Sequence, residues 1–144
     1  MRNIVRRLSG LLVLLALLIT ACASSKPQTM TLSLESNQTT GYSWTLAQEP
    51  ELFDVQDEYI EKDHSEDMVG VGGQHIFTLT PKMAGKTELT FTYARPWEDP
   101  ETDTTVIEYT VIVSDKMNIT VESSRFAGGN DINDVPVIPD PVIK

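Results

Sequence analysis

Three short segments of this chain carry groups suited to gripping another molecule: Asn37-Gln38-Thr39-Thr40-Gly41-Tyr42, Gly70-Val71-Gly72-Gly73 and Arg95-Pro96-Trp97. The chemistry they offer is recognition. In the first, Gly41 can take a positive φ that other residues adopt only with strain, and the Thr39 and Thr40 hydroxyls can bond the backbone and hold the tip. In the second, Gly70, Gly72 and Gly73 leave main chain unshielded by any Cβ, so another chain can approach closely and share backbone hydrogen bonds. A phosphate cradle fits poorly there, because no helix pattern and no Lys-Ser/Thr pair follows. In the third, proline stiffens the approach, and tryptophan and arginine are frequent interface anchors. Taken singly, the first two also read as plain turns, and Trp97 also reads as part of a half-buried strand.

Groups for catalysis are scattered. Cys22 is the only cysteine, His64 and His75 stand outside any motif, and there is no G-x-S-x-G elbow. The carboxylates from Glu61 to Asp67, with His64, lack the ligand spacing of an EF-hand loop or a zinc site and read as a solvated connection. No enzyme activity, cofactor or metal is expected.

The elements that must position the three segments are strands. Thr29 to Glu35 alternates strictly, with Met30, Leu32 and Leu34 on one face. Tyr42, Trp44 and Leu46 repeat the pattern, as do Phe77 and Leu79, then Leu89, Phe91 and Tyr93, then Ile107, Tyr109, Val111 and Val113. Val55 and Tyr59 mark a further strand. Period-two segments punctuated by Gly, Pro and Asp, with no 3.6-residue apolar stripe, predict an all-β fold: an immunoglobulin-like antiparallel β-sandwich of about seven strands. Alternate connections of such a sandwich emerge at one end, and the three motifs occupy connections with that alternation. Trp44 continues a buried face and reads as core, whereas Trp97 lies beyond the Leu89/Phe91/Tyr93 run in a polar loop and reads as exposed.

The chain ends carry other information. Arg2, Arg6 and Arg7 precede an apolar run from Leu11 to Ile19, the pattern of an export signal, too short to span a bilayer as a mature helix. It runs through Thr20 and Ala21 into Cys22 and resembles a bacterial lipobox. Residues 1–21 are therefore read as a lipoprotein signal peptide, 22–28 as a lipidated Cys22 with its tether, 29–126 as one folded domain, and 127–144 as a Pro-rich flexible tail. An ordinary signal peptide that ends near a cysteine is the alternative. Three of eleven basic residues and none of the twenty-one acids precede Cys22, which leaves eight basic against twenty-one acidic groups, a formal charge of −13. Nucleic acid is thus an improbable partner, and attachment to a membrane would come from lipid, not from surface charge. The expected location is the bacterial cell envelope, lipid-anchored, with Ala23 after the cysteine favouring the outer membrane of a Gram-negative host.

Together, in this order and at these distances, the three loops resemble the chagasin family, inhibitors of papain-like cysteine peptidases, over roughly residues 28 to 114. The resemblance implies a monomer in which Thr39, Thr40 and Gly41 enter the centre of the peptidase cleft, with Asn37, Gln38 and Tyr42 framing them. Gly72 and Gly73, beside Gly70, would supply backbone contacts on one flank, and Arg95, Pro96 and Trp97 would pack on the other. No covalent bond forms; substrate is excluded by preorganised loops. A lipid-anchored immunoglobulin-like adhesion or assembly module with a non-peptidase partner is the competing reading. The chain departs from the family's pattern by carrying Gln38 where proline is usual, and by lacking strand-forming sequence ahead of Thr29. Met117 to Glu122 alternates apolar and polar residues and is expected to form a strand that takes the place of the missing one.

Overall fold

A computed structural model describes residues 26–62, 72–98, 104–128 and 138–144. Residues 1–21, read from sequence as a signal peptide, together with Cys22, the acidic stretch after Lys62 and Gly70, lie outside these residues.

Among the described residues eight strands follow in order: β1 (Met30–Ser36), β2 (Ser43–Glu49), β3 (Phe53–Glu61), β4 (Gly73–Pro81), β5 (Gly85–Ala94), β6 (Thr105–Val113), β7 (Ile119–Gly128) and the two-residue β8 (Val142–Ile143). They form two antiparallel sheets, ordered β3-β4-β1-β8 and β2-β5-β6-β7. This is the antiparallel β-sandwich that the alternating patterns predict. The inward positions are those patterns: Met30, Leu32 and Leu34 from β1, Phe77 and Leu79 from β4, Leu89 and Phe91 from β5, and Ile107, Tyr109, Val111 and Val113 from β6 are all buried. Phe77 meets Phe91 edge to face across the sheets at 5.1 Å between ring centroids, and Phe91 meets Tyr109 at 5.8 Å. Each such large apolar side chain, fully buried, contributes about 1.5–3 kcal/mol.

The register settles which connections share an end. Ser36 lies opposite Gly73, and Gly73 opposite Glu61; in the other sheet Ser43 pairs with Ala94 and Tyr93 with Thr105. The β1–β2, β3–β4 and β5–β6 connections, which carry the three motifs, therefore emerge together.

Two expectations need correction. Met117–Glu122 does contribute to a strand, but that strand, β7, runs from Ile119 to Gly128 against β6, with Ile119 and Val121 packed on the core. Met117 itself stands in the preceding turn at φ 60°. The edge beside β1 is covered instead by β8, with Met30 opposite Ile143 and Thr31 opposite Val142. Residues 138–144, read from sequence as flexible tail, are thus a docked strap, and Ala127 and Gly128 complete β7. The reason is non-local: two apolar residues suffice when an unpaired edge awaits them.

Candidate functional site

The first loop begins where β1 ends. Asn37 is followed by a single 3-10 turn, Gln38–Thr40, closed by Gly41 at φ 84°, whose N–H donates to the Gln38 carbonyl at 3.0 Å. An L-residue is strained in this left-handed region, so glycine is the fitting choice. The hydroxyls hold the tip as their residue types suggest. Thr40 Oγ1 donates to the Asn37 carbonyl and Thr39 Oγ1 to Asn37 Oδ1, both at 2.6 Å.

This loop is held in the middle by its two neighbours. On one side the Trp97 ring lies over Gly41: a Cβ added there would stand 2.5 Å from Trp97 Cη2. Arg95 ties the third loop to the first. Its Nε donates to the Thr40 carbonyl at 3.0 Å, its Nη1 pairs with Glu98 Oε1 at 2.8 Å, and its guanidinium sits 4.4 Å over the Tyr42 ring. A planar, always-charged group with fixed donors is suited to bonding a carbonyl and a carboxylate while stacking on an aromatic face. On the other side Gly72 packs against the stem of the first loop, where a Cβ would stand 3.1 Å from the Ser36 carbonyl. The Gly72 carbonyl accepts from the Lys62 N–H at 3.2 Å, closing the base of the second loop.

Beneath the loops Tyr93 acts as a post. Its ring is stacked between Tyr42 at 5.2 Å and Trp44 at 4.9 Å, and its hydroxyl accepts the Asn37 N–H at 2.9 Å. The Trp44 indole N–H donates to the Glu35 carbonyl at 2.8 Å. Lys62 also bonds Glu35 Oε2 at 2.7 Å, and that hydrogen bond, aided by Gln74, holds the Glu35 carboxyl below the usual carboxylate range.

The structure sorts the residues singled out from sequence. Gln38, Thr39, Thr40, Pro96 and Trp97 are exposed, and Trp97 has 70% of its surface accessible. Asn37, Gly41, Tyr42, Gly72 and Arg95 are partly buried and are used largely to hold the exposed ones. Gly73 departs from the expectation of bare backbone. It is buried within β4, paired on both sides, and a Cβ there would stand 2.3 Å from the Ile60 carbonyl and 2.7 Å from the Tyr59 hydroxyl. Its lack of a side chain serves sheet packing. Gly70 lies outside the described residues. Sequence reasoning missed the supporting roles of Tyr93 and Glu98. Tyr93 ends a buried run just before Arg95, and a hydroxyl at the rim of a core is the signal that could have pointed to it.

Among the described residues this surface offers the braced turn at 38–41, with Gly72 against its stem and one displayed indole, Trp97, over Gly41. Among the described residues no cluster of His, Cys, Asp and Glu is arranged to hold a metal ion.

Comparison with known proteins supplies the context. The sequence pattern of the Chagasin family peptidase inhibitor I42 matches residues 24–127. Chagasin from Trypanosoma cruzi is 33% identical over 78 residues, 50% of this chain and 69% of its own length. Amoebiasin-1 from Entamoeba histolytica is 29% identical over 86 residues, 60% of this chain and 83% of its own. Among solved structures, the cysteine protease inhibitor EhICP2 from Entamoeba histolytica aligns over 58% of this chain and 77% of its own at 28% identity and a TM-score of 0.48. The solution structure of Amebosin aligns over 56% and 74% at 27% identity and a TM-score of 0.45.

Proposed function

The chain belongs to the chagasin family of peptidase inhibitors, and from that premise we propose that it blocks papain-like cysteine peptidases by reversible, non-covalent occupation of the active-site cleft. The observation that carries this reading is the clamped first loop: Thr39 and Thr40 exposed, Gly41 under the Trp97 ring, flanked by Gly72 and by the Arg95–Trp97 corner. A ridge whose tip is fixed by its own hydrogen bonds pays little ordering entropy on entering a cleft. The Thr39 and Thr40 hydroxyls are engaged in bracing the tip, and the blockade proposed is steric, with no covalent bond formed. Gln38, exposed beside the tip, stands where the family's usual proline would stiffen the entry; here Arg95 and the Tyr93 hydroxyl supply that restraint.

We further propose a monomeric lipoprotein, attached to the bacterial envelope through a diacylglycerol on Cys22. β1 runs from the tether to the first loop, so attachment at the tether leaves the three loops at the opposite pole, facing away from the membrane. The adhesion or assembly reading gains no support from any of these observations.

The test of the inhibitor reading is a panel of papain-like peptidases assayed with a fluorogenic peptide substrate at micromolar soluble protein. Substrate-competitive inhibition, with the inhibitor recovered intact, is the expected result; no inhibition of any member removes the reading. For the anchor, Cys22→Ser is expected to release the protein from the membrane fraction. Fatty-acid label still incorporated into that variant would refute lipidation at Cys22.

A further inference from the structure

The strap at the C-terminus lies beyond the part of the chain that matches the family pattern, which ends at residue 127. Nothing in the inhibitor reading calls for it, yet it is built into the fold. Thr29 and Lys144 exchange reciprocal backbone bonds of 2.9 and 3.0 Å, and β8 continues the ladder along β1 through Ile143 and Val142. The side chains alternate as a strand should: Ile143 packs on the core while Val142 is 52% exposed. Farther up, Ile138 packs on the core, and the fully buried Tyr109 sends its hydroxyl proton to the Pro139 carbonyl at 2.7 Å. Burial chiefly, and the nearby Asp140 carboxylate in addition, pushes the Tyr109 phenol well above its ordinary range, so it stays protonated as a donor.

The two prolines give this segment a particular character. Pro139 and Pro141 favour an extended backbone before docking and carry no N–H, so little ordering is left to do and the outer edge is a poor template for another strand.

We propose that this edge of β1 is a strand-accepting site whose ligand is the chain's own C-terminal segment, residues 138–144, and that the site takes the same segment when it is offered as a separate peptide. The recognised pattern is an extended peptide with an inward isoleucine, a carbonyl for Tyr109, two prolines, then one outward and one inward apolar residue. Specificity comes from Ile138, the Pro139 carbonyl and Ile143; the backbone ladder supplies direction and register.

The test uses the full chain carrying Ile143→Asp and a fluorescent peptide of residues 138–144. In the unsubstituted protein the tethered strap competes at an effective concentration on the order of millimolar, so peptide binding is weak. In Ile143→Asp that competitor is impaired, and the peptide is expected to bind at least tenfold tighter, while a peptide bearing Asp at the same position does not bind. The Thr29 amide, protected from hydrogen exchange in the unsubstituted chain, is expected to exchange faster in Ile143→Asp and to regain protection with peptide. Equal exchange of Thr29 in both proteins, or no gain in peptide binding, overturns the proposal. Should Ile143→Asp fail to fold, Ile138→Asp decides: it removes an inward anchor from the tethered strap and leaves the receiving edge unaltered, so a gain in binding of the unsubstituted peptide supports the site and binding unchanged from the unsubstituted chain overturns it. None of these readings depends on peptidase inhibition.

Discussion

Replacing each of the two tryptophans by alanine separates the binding surface from the core. Trp97 has 70% of its surface exposed and touches the first loop over Gly41, so its loss removes little packing from the free protein. In the complex an indole displayed at the rim of the ridge would be desolvated against the peptidase, and anchors of this kind lose about 2 kcal/mol or more on truncation, roughly a 30-fold rise in the inhibition constant. Trp44 is the reverse. It is 8% exposed, stacks on Tyr93 at 4.9 Å and donates to the Glu35 carbonyl at 2.8 Å. Truncation there leaves a cavity and an unpaired carbonyl, a loss of about 3–5 kcal/mol, which in a domain of this size lowers Tm by roughly 10 °C or more. Inhibition constants from competition with a fluorogenic substrate, set beside thermal midpoints by circular dichroism, give both quantities. The expected outcome is Trp97→Ala with weakened inhibition and a Tm within a few degrees of the parent, and Trp44→Ala with a large fall in Tm. Unchanged inhibition by Trp97→Ala, or a Tm loss equal to that of Trp44→Ala, refutes the assignment.

Gly73→Ala is expected to destabilise the fold by about 1–3 kcal/mol, since a Cβ would meet the Ile60 backbone carbonyl at 2.3 Å; a Tm equal to the parent's would show that β3 yields there without penalty. Tyr93→Phe keeps the aromatic stack but removes the acceptor for the Asn37 N–H, and is expected to raise the inhibition constant several-fold, about 1 kcal/mol, mainly through slower association. An unchanged association rate would mean the first loop keeps its shape without that post. The Lys62–Glu35 pair is exposed on both sides, so it contributes less than about 1 kcal/mol. Because the folded-state pKa of Glu35 is lowered, that contribution is present above its ordinary value of 4.5 and is lost as the pH falls through the lowered one. The Tm difference between parent and Lys62→Met is therefore expected near neutrality and absent in strong acid; a difference that persists in acid would point to packing of the lysine stem.

Much of this protein is determined locally and is legible along the chain. Alternation of apolar and polar residues assigns Met30, Leu32, Leu34, Phe77, Leu79, Leu89, Phe91 and Tyr109 to the core, because a strand's side-chain period of two leaves no other way to bury them on one face. The left-handed Gly41, the hydroxyl-braced turn before it and the exposure of Trp97 likewise follow from residue type and immediate neighbours. What only the tertiary structure decides are relations between distant segments. Whether Arg95 faces a partner or bonds Thr40 depends on how two sheets bring the β1–β2 and β5–β6 connections together. That Gly73 is crowded rather than bare depends on the Tyr59 ring and the Ile60 carbonyl of a neighbouring strand. The strap is the clearest case. Val142 and Ile143, set among prolines, carry no strand pattern of their own, and they pair because β1 offers an unfilled edge and Tyr109 an unspent proton at the place where the chain passes.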